Sequence, residues 1–392
     1  MFSAPVISCP PVDATAPLTD TRPTAGAARP ARPARVLVLG ANGRFGRAAV
    51  SAFASAGWHV TAQVRRDTAT TEAARRQGIE VVLASFADRL PDKPGTGTDQ
   101  ASAPGGSEHV PAATQHEALV QAARQADVIV HALNPDYTQW DSHMPAHTAQ
   151  VVDLALQGHA LLMLPGNVYN FGCELPPVLA ESTPFVANTP KARQRITLEA
   201  ALVQAGRQHG LRSVVIRAGN FLAPAGQGET WLDLGMGRKL AQGVYSRMSS
   251  QDVPTAWAWL PDLAQVFVQV AERREVMAGA EQPRHQVLHY AGHTLTDSDF
   301  KSALERVLGT RLRIAHFPWW MLRLLAPVAP MFAALVEMRY LSERPHRLDD
   351  TRLQALLGHV APLTPIDACL HAALAKQPVE TGQVAIAATR AG

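Results

Sequence analysis

Three evenly spaced glycines, Gly40, Gly43 and Gly46, sit in the run Gly40-Ala41-Asn42-Gly43-Arg44-Phe45-Gly46. The run follows an apolar segment, Val36-Leu37-Val38-Leu39, and opens an amphipathic one, Phe45–Ala56. This context suits a dinucleotide. The glycines permit a tight turn and close backbone approach, and the helix beyond offers unpaired N–H groups and a positive dipole end to a pyrophosphate. The bland alternative is a strand-to-helix turn without a ligand. Cofactor choice falls where the second strand ends, because a carboxylate there favours a ribose hydroxyl and repels a 2′-phosphate. The chain reads Gln63-Val64-Arg65-Arg66, with no acid before Asp67. Arg65, with Arg66 or Arg44 as a second cation, can bond a phosphate, so the expected cofactor is NADP rather than NAD. Two solvated surface charges are the competing reading.

Other chemistry is sparser. Tyr137, Trp140 and His143 form a polar-aromatic group after the fourth expected strand, where loops line a ligand crevice, and Tyr137 is a candidate substrate contact. Trp231, Asp233, Trp257 and Trp259 read as packing or as a substrate wall. No His, Cys, Asp and Glu set has metal-ligand spacing, and no serine sits on a nucleophile elbow, so no metal is expected.

These residues need a parallel sheet to position them. Short β-branched runs alternate with amphipathic stretches, the pattern of crossover units in an α/β protein with a Rossmann-type doubly wound sheet. The expected strands are 36–39, 60–64, 81–83, 128–131, 161–164 and 214–217; the expected helices are 45–56, 117–125, 147–157 and 192–208. Gly57 and Gly210 follow two of these helices as stops. Beyond residue 220 the pattern turns mainly helical, with helices at 232–242, 263–272 and 296–308, the last between a Thr296 cap and Gly309. The resulting division is a tail at 1–34, a dinucleotide-binding domain at 35–220 with a flexible insertion at 91–116, a smaller substrate-binding portion at 221–376, and a loose tail at 377–392.

Of 392 residues, 47% are hydrophobic and 18% charged, which supports a large buried core. The net charge of +3 owes much to Arg22, Arg29, Arg32 and Arg35 in or beside the N-terminal tail, and no basic run carries interleaved aromatics, so nucleic acid is not an expected partner. Cys9, Cys173 and Cys369 are too scattered for zinc or redox motifs and fit a reducing, cytoplasmic setting. The apolar stretch from Phe317 to Leu341 contains Pro327, Pro330, Arg323, Glu337 and Arg339 and reads as packed helices rather than a membrane element. A small-molecule substrate is the expected partner, and a homodimer stays open as the assembly.

The motifs GANGRFG (40–46), HALNP (131–135), GNVYNFG (166–172), ESTP (181–184), VIRAGNF (215–221) and PDLA (261–264) together resemble the extended and atypical short-chain dehydrogenases/reductases, the NAD-dependent epimerase/dehydratase-like proteins, over residues 35–374. The resemblance implies that Ala132, Leu133 and Asn134, then Pro165, Gly166 and Asn167, face the cofactor with Gly40, Asn42, Gly43, Arg44, Phe45 and Gly46. It also places Asn220, three residues after Arg217, near the substrate.

The sequence departs from this family at its catalytic pair, a Tyr and a Lys four residues apart. Aligning Glu199 with the glutamate that follows the pair puts Lys191 at the tyrosine position and Arg195 at the lysine position. The family's Ser/Thr position falls in Leu164-Pro165-Gly166-Asn167. Lys191 could donate a proton or steady an oxyanion, or be a solvated lysine opening a helix. Tyr169 could act as a general acid or simply pack. Three functions follow: an NADP-dependent oxidoreductase acting on a small carbonyl, alcohol or activated alkene; a nucleotide-sugar epimerase or dehydratase; or an NADP-binding sensor without turnover.

Overall fold

The computed structural model describes residues 32–86, 112–135, 139–227, 230–279 and 281–375; all but residues 32–34 of the expected tail at 1–34, the expected tail at 377–392, most of the expected insertion and Tyr137 lie outside them. In chain order the strands are β1 (Arg35–Leu39), β2 (His59–Val64), β3 (Glu80–Leu83), β4 (Val128–His131), β5 (Leu161–Gly166), β6 (Val178–Leu179), β7 (Ser213–Arg217), β8 (Asn220–Leu222), β9 (Val244–Arg247), β10 (Thr255–Trp259), β11 (His285–His289), β12 (His293–Leu295), β13 (Arg313–His316) and β14 (Arg347–Leu348). The helices are α1 (Arg44–Ser55), α2 (Ala69–Arg76), α3 (Ala112–Gln125), α4 (Trp140–Gly158), α5 (Pro190–His209), α6 (Leu260–Glu272), α7 (Arg274–Met277), α8 (Asp297–Leu308), α9 (Trp319–Leu325), α10 (Pro330–Glu337), α11 (Tyr340–Glu343), α12 (Thr351–Leu357) and α13 (Ile366–Leu374).

Seven parallel strands form the main sheet in the order β11-β7-β5-β4-β1-β2-β3. The apolar runs suit both faces at once, because successive side chains on a strand point to opposite sides. Val36 and Val38 enter one core with α1 and α6, while Leu37 and Leu39 enter another with α3, α4 and α5. Val214, Ile216 and Val215 divide in the same way. The order reverses between β1 and β4, the place where an open α/β sheet leaves a crevice beyond its strand ends.

The six expected strands are all present, and β11 is a seventh. Two histidines bound its Gln-Val-Leu centre, which hides the apolar signature of a buried strand. It pairs with β7 from His285↔Ser213 to His289↔Arg217, and α6 packs on α1 through Phe45 and Phe267, whose ring centroids are 4.6 Å apart. The chain therefore returns to the main sheet after residue 220, so the expected boundary there separates elements that share one core. A third core, including Leu222, Tyr245, Trp257, Phe300 and Leu370, holds the smaller portion together.

Three helix expectations change. α3 opens at Ala112, which returns the end of the expected insertion to regular structure. α4 opens at Trp140, seven residues before the expected start, and carries Pro145 inside it. The expected helix at 232–242 is instead a wide turn, Leu232–Met236, followed by a 3-10 turn, Leu240–Gln242. Gly235 lies where a Cβ would stand 2.8 Å from the Met248 sulfur, and the Gly237 N–H reaches back to the Leu232 carbonyl at 2.7 Å. Glycine serves close packing here at the expense of helix propensity. Among the described residues no helix is long and apolar enough to cross a membrane.

Several histidines are buried in the sheet and beside it. Burial first, then the charges of Arg195 and His147, pushes His131 down to about 3; burial first, then Arg217, does the same for His289. His285 and His346 are also lowered, chiefly by burial. Each binds its proton more readily in the unfolded chain, so their contribution is fully present above an unfolded value of about 6.5 and is lost as pH falls toward the folded values. The urea midpoint should therefore fall between about pH 7 and about pH 4, and His289→Gln should make that fall shallower. A midpoint flat over this range would show that these histidines protonate while folded.

Candidate functional site

The glycine turn closes the β1 end of the crevice. Gly40 has φ +76°, and a Cβ there would meet the Ala132 carbonyl oxygen at 2.9 Å, so the ends of β1 and β4 approach as only glycine allows. At Gly46 a Cβ would stand 2.2 Å from the Gly40 carbonyl oxygen. The Gly43 N–H donates to the Gly40 carbonyl (2.9 Å), and the first helical bond runs from the Arg47 N–H to the Gly43 carbonyl. α1 has neither a side-chain cap nor an acid in its first turn. Its leading N–H groups thus fit an anionic partner such as a pyrophosphate. The Phe45 side chain faces the core against Phe267, leaving only its backbone on the turn.

Gln63, which no sequence signal singled out, braces this turn from β2. Its Oε1 accepts from the Gly40 N–H at 2.8 Å and its Nε2 donates to the Ala84 carbonyl. Arg47 adds a second brace, donating to the Asn42 carbonyl and, across to the smaller portion, to the Gly226 carbonyl. At the β2 edge Arg65 and Arg66 are exposed. Asp67, the nearest acid, is turned toward α2. It accepts from Thr71 and pairs with Arg75 at 2.9 Å; these bonds hold its carboxyl below the usual range.

On the other side of the crevice, Ala132 and Leu133 are half-buried and Asn134 is exposed. Pro165 and Asn167 are half-buried at the end of β5, with Gly166 packed where a Cβ would strike Val215. The Asn167 side chain caps the short turn Val168–Phe171 by accepting from the Tyr169 N–H at 3.1 Å. Arg217 locks this turn from β7. Wholly buried, it donates two bonds to the Glu199 carboxylate at 2.9 and 3.0 Å, one to Asn170 Oδ1 at 2.9 Å and one to the Asn167 carbonyl. Arg217 is therefore a clamp between α5, β7 and the β5 turn.

That clamp presents the start of α5. Lys191 is 97% removed from solvent, with Nζ 5.2 Å from the centre of the Trp140 ring, and the Arg195 guanidinium lies 4.7 Å from the same ring. The two cations stand one helical turn apart against one aromatic ring. The Tyr169 ring lies 6.2 Å from that of Trp140. Burial lowers the Lys191 pKa below 10.5, partly opposed by Glu337 and Asp141. Glu337, from the distant helix α10, accepts the Lys191 backbone N–H at 2.9 Å and supplies the negative charge that the first turn of α5 lacks. The structure thus assembles Lys191, Tyr169, Trp140 and Arg195 into one cluster.

Asn220 stands apart from that cluster on β8, opposite Trp257 of β10. It borders a narrow pocket of about 30 Å³, partly open to solvent, walled by Trp231, Trp257, Phe300, Trp319 and methionines. No lysine, arginine or histidine is among the described lining residues. The lone acid, Asp297, accepts from the Tyr245 hydroxyl and from Ser249. Trp231 and Trp257 thus belong to the wall; Asp233 instead accepts from Thr230. Among the described residues no group of three His, Cys, Asp or Glu side chains could hold a metal ion.

With this geometry in view, residues 33–155 match the model of the NmrA-like family. No curated protein matches the chain. Solved structures resemble it in fold. UDP-glucose 4-epimerase from Brucella ovis, in complex with NAD, superposes with a TM-score of 0.62 at 14% identity, covering 87% of this chain and 97% of that one. A nucleoside-diphosphate-sugar epimerase from Pseudomonas aeruginosa gives 0.61 at 16% identity over 86% and 96%. UDP-glucuronic acid 4-epimerase from Bacillus cereus, also in complex with NAD, gives 0.60 at 13% over 86% and 94%. The chain has the Rossmann-type fold of the epimerase/dehydratase-like short-chain dehydrogenases/reductases.

Removing Arg217 would strand Glu199 in the interior, and breaking a buried pair from one side costs about 3–5 kcal/mol. Arg217→Met should lower unfolding stability by about that amount, and Arg217→Met with Glu199→Leu should recover much of it in chemical denaturation. A single variant as stable as the parent would remove the clamp from the account.

Proposed function

We propose that the chain is an NADP-dependent oxidoreductase of the short-chain dehydrogenase/reductase type, acting on a small, mainly apolar carbonyl, alcohol or activated alkene. The observation that carries this reading is the uncapped, glycine-built anion cradle at Gly40–Gly46; the buried Lys191 and Arg195 at the start of α5 stand where the family resemblance puts the catalytic pair. The nicotinamide would supply hydride transfer, and the protein's part would be binding, orientation and charge. Gly40, Asn42, Gly43, Arg44 and Gly46 would hold the pyrophosphate side; Ala132, Leu133, Asn134, Pro165, Gly166 and Asn167 would border the remainder. Arg65, with Arg66 beside it, would bond the 2′-phosphate. Engagement of Asp67 by Arg75 and Thr71 supports this choice, since that carboxylate is drawn away from a ribose.

The neighbours' nucleotide-sugar chemistry fits the pocket less well. A diphosphate calls for cations or free N–H donors, whereas the wall near Asn220 offers tryptophan, methionine and a hydrogen-bonded carboxylate. Asn220 would contact the apolar end of such a substrate, away from Lys191. A non-catalytic NADP sensor is the second reading, favoured by the stacking of Lys191 and Arg195 on Trp140, which can serve packing alone.

Arg65→Ala should weaken NADPH binding by roughly 10- to 150-fold, the value of a charge-assisted bond, and leave NADH nearly unchanged in calorimetry. Equal loss for both cofactors would remove Arg65 from selectivity.

Lys191 would donate the proton or steady the developing oxyanion. A donor must begin protonated, so turnover should decline as pH rises through a value below 10.5, because burial lowers this group. Lys191→Met should reduce kcat far more than Tyr169→Phe and abolish that alkaline decline in a carbonyl-reduction screen followed by NADPH absorbance. Tight NADPH binding without turnover on a broad panel would favour the sensor.

A further inference from the structure

The stretch 324–336, Leu-Leu-Ala-Pro-Val-Ala-Pro-Met-Phe-Ala-Ala-Leu-Val, contains no polar side chain. It spans the end of α9, the connecting turn and nearly all of α10. The sequence favoured packed helices here, and one side of each does pack: Trp319, Leu322, Ala334 and Met338 are buried. The opposite side carries Trp320 at 71% exposure, Leu324 at 71% and Val328 at 80%, with Met321, Leu325 and Met331 also exposed. Scattered surface apolar residues are ordinary, but an apolar turn joining two helices with large apolar side chains on their outer faces is not, since turns in water draw on polar residues.

The surroundings indicate what covers this face. Arg323 is exposed within α9, and Arg311 and Arg313 precede it along the chain, Arg313 on β13 beside the exposed Ile314. A tryptophan, exposed aliphatic side chains at an apolar turn and the exposed Arg323 within the same helix form the composition of an element that lies in the boundary of an anionic bilayer, apolar groups inward and the guanidinium group at the headgroups. A soluble protein partner would more often meet aromatic anchors ringed by mixed polar residues.

We infer that the α9–α10 hairpin docks the protein on an anionic lipid surface, inserting the Leu324–Met331 edge. The inference is independent of the cofactor reading. It gives the neighbouring residues Trp319 and Trp320 opposite duties, one walling the Asn220 pocket and the other meeting lipid.

The test uses the full chain and vesicles of phosphatidylcholine with or without phosphatidylglycerol, read by co-sedimentation. The parent should partition onto the anionic vesicles, less so as salt rises. Leu324→Asp with Val328→Asp should cut partition by about tenfold or more, the worth of burying one such side chain, while the circular dichroism and unfolding midpoint stay unchanged. Trp320→Phe, a milder change, should keep binding yet remove most of the blue shift in tryptophan emission on vesicle addition. Absence of partition, equal partition onto neutral and anionic vesicles, or partition indifferent to the Asp substitutions would overturn the inference. So would self-association that these substitutions abolish without vesicle binding, which would assign the face to a second copy of the chain.

Discussion

The Arg217–Glu199 pair, sealed from solvent between sheet and helix, holds the geometry on which the candidate site rests. An isolated buried guanidinium is too costly to keep, so Arg217 is tolerated because Glu199, Asn170 and the Asn167 carbonyl together accept from it. Those acceptors come from α5 and from the turn after β5. Satisfying one side chain thus ties the helix that carries Lys191 to the turn that carries Tyr169. The pair specifies an arrangement more than it adds stability.

The two faces of the crevice are built by different means. The β1 side relies on absent side chains: Gly40 and Gly46 let backbone meet backbone, and Gln63 pins the turn from beneath. The α5 side relies on bulky, charged ones stacked on Trp140. A backbone cradle suits an invariant group such as a pyrophosphate, and an aromatic-cationic wall suits a group whose charge changes.

Local sequence made the first half of the fold legible, because buried parallel strands require continuous apolar runs and Gly40, Gly43 and Gly46 follow one directly. It gave little warning of β11, whose bounding histidines are polar by type yet buried in fact. Gly235 and Gly237 misled in the opposite sense, lying in a stretch with helical apolar spacing but demanded by contacts with Met248 and Leu232. In the site, Lys191 and Tyr169 could be singled out from motif position. Gln63 and Glu337 could not, since their roles are bonds to backbone N–H groups that only the fold brings near. Exposure on α9 and α10 was equally invisible, for an apolar run reads the same whether one side of it is covered or both.

The bond from Lys191 to Glu337 spans 146 positions of the chain. During synthesis, the strands that bear the glycine turn emerge and can pair long before α10 exists, and β11 likewise arrives after its partner β7. A nascent chain could thus complete its cradle while the first turn of α5 still lacks its carboxylate. The first turn of α5 therefore depends for its carboxylate on a helix that is synthesised 146 positions later.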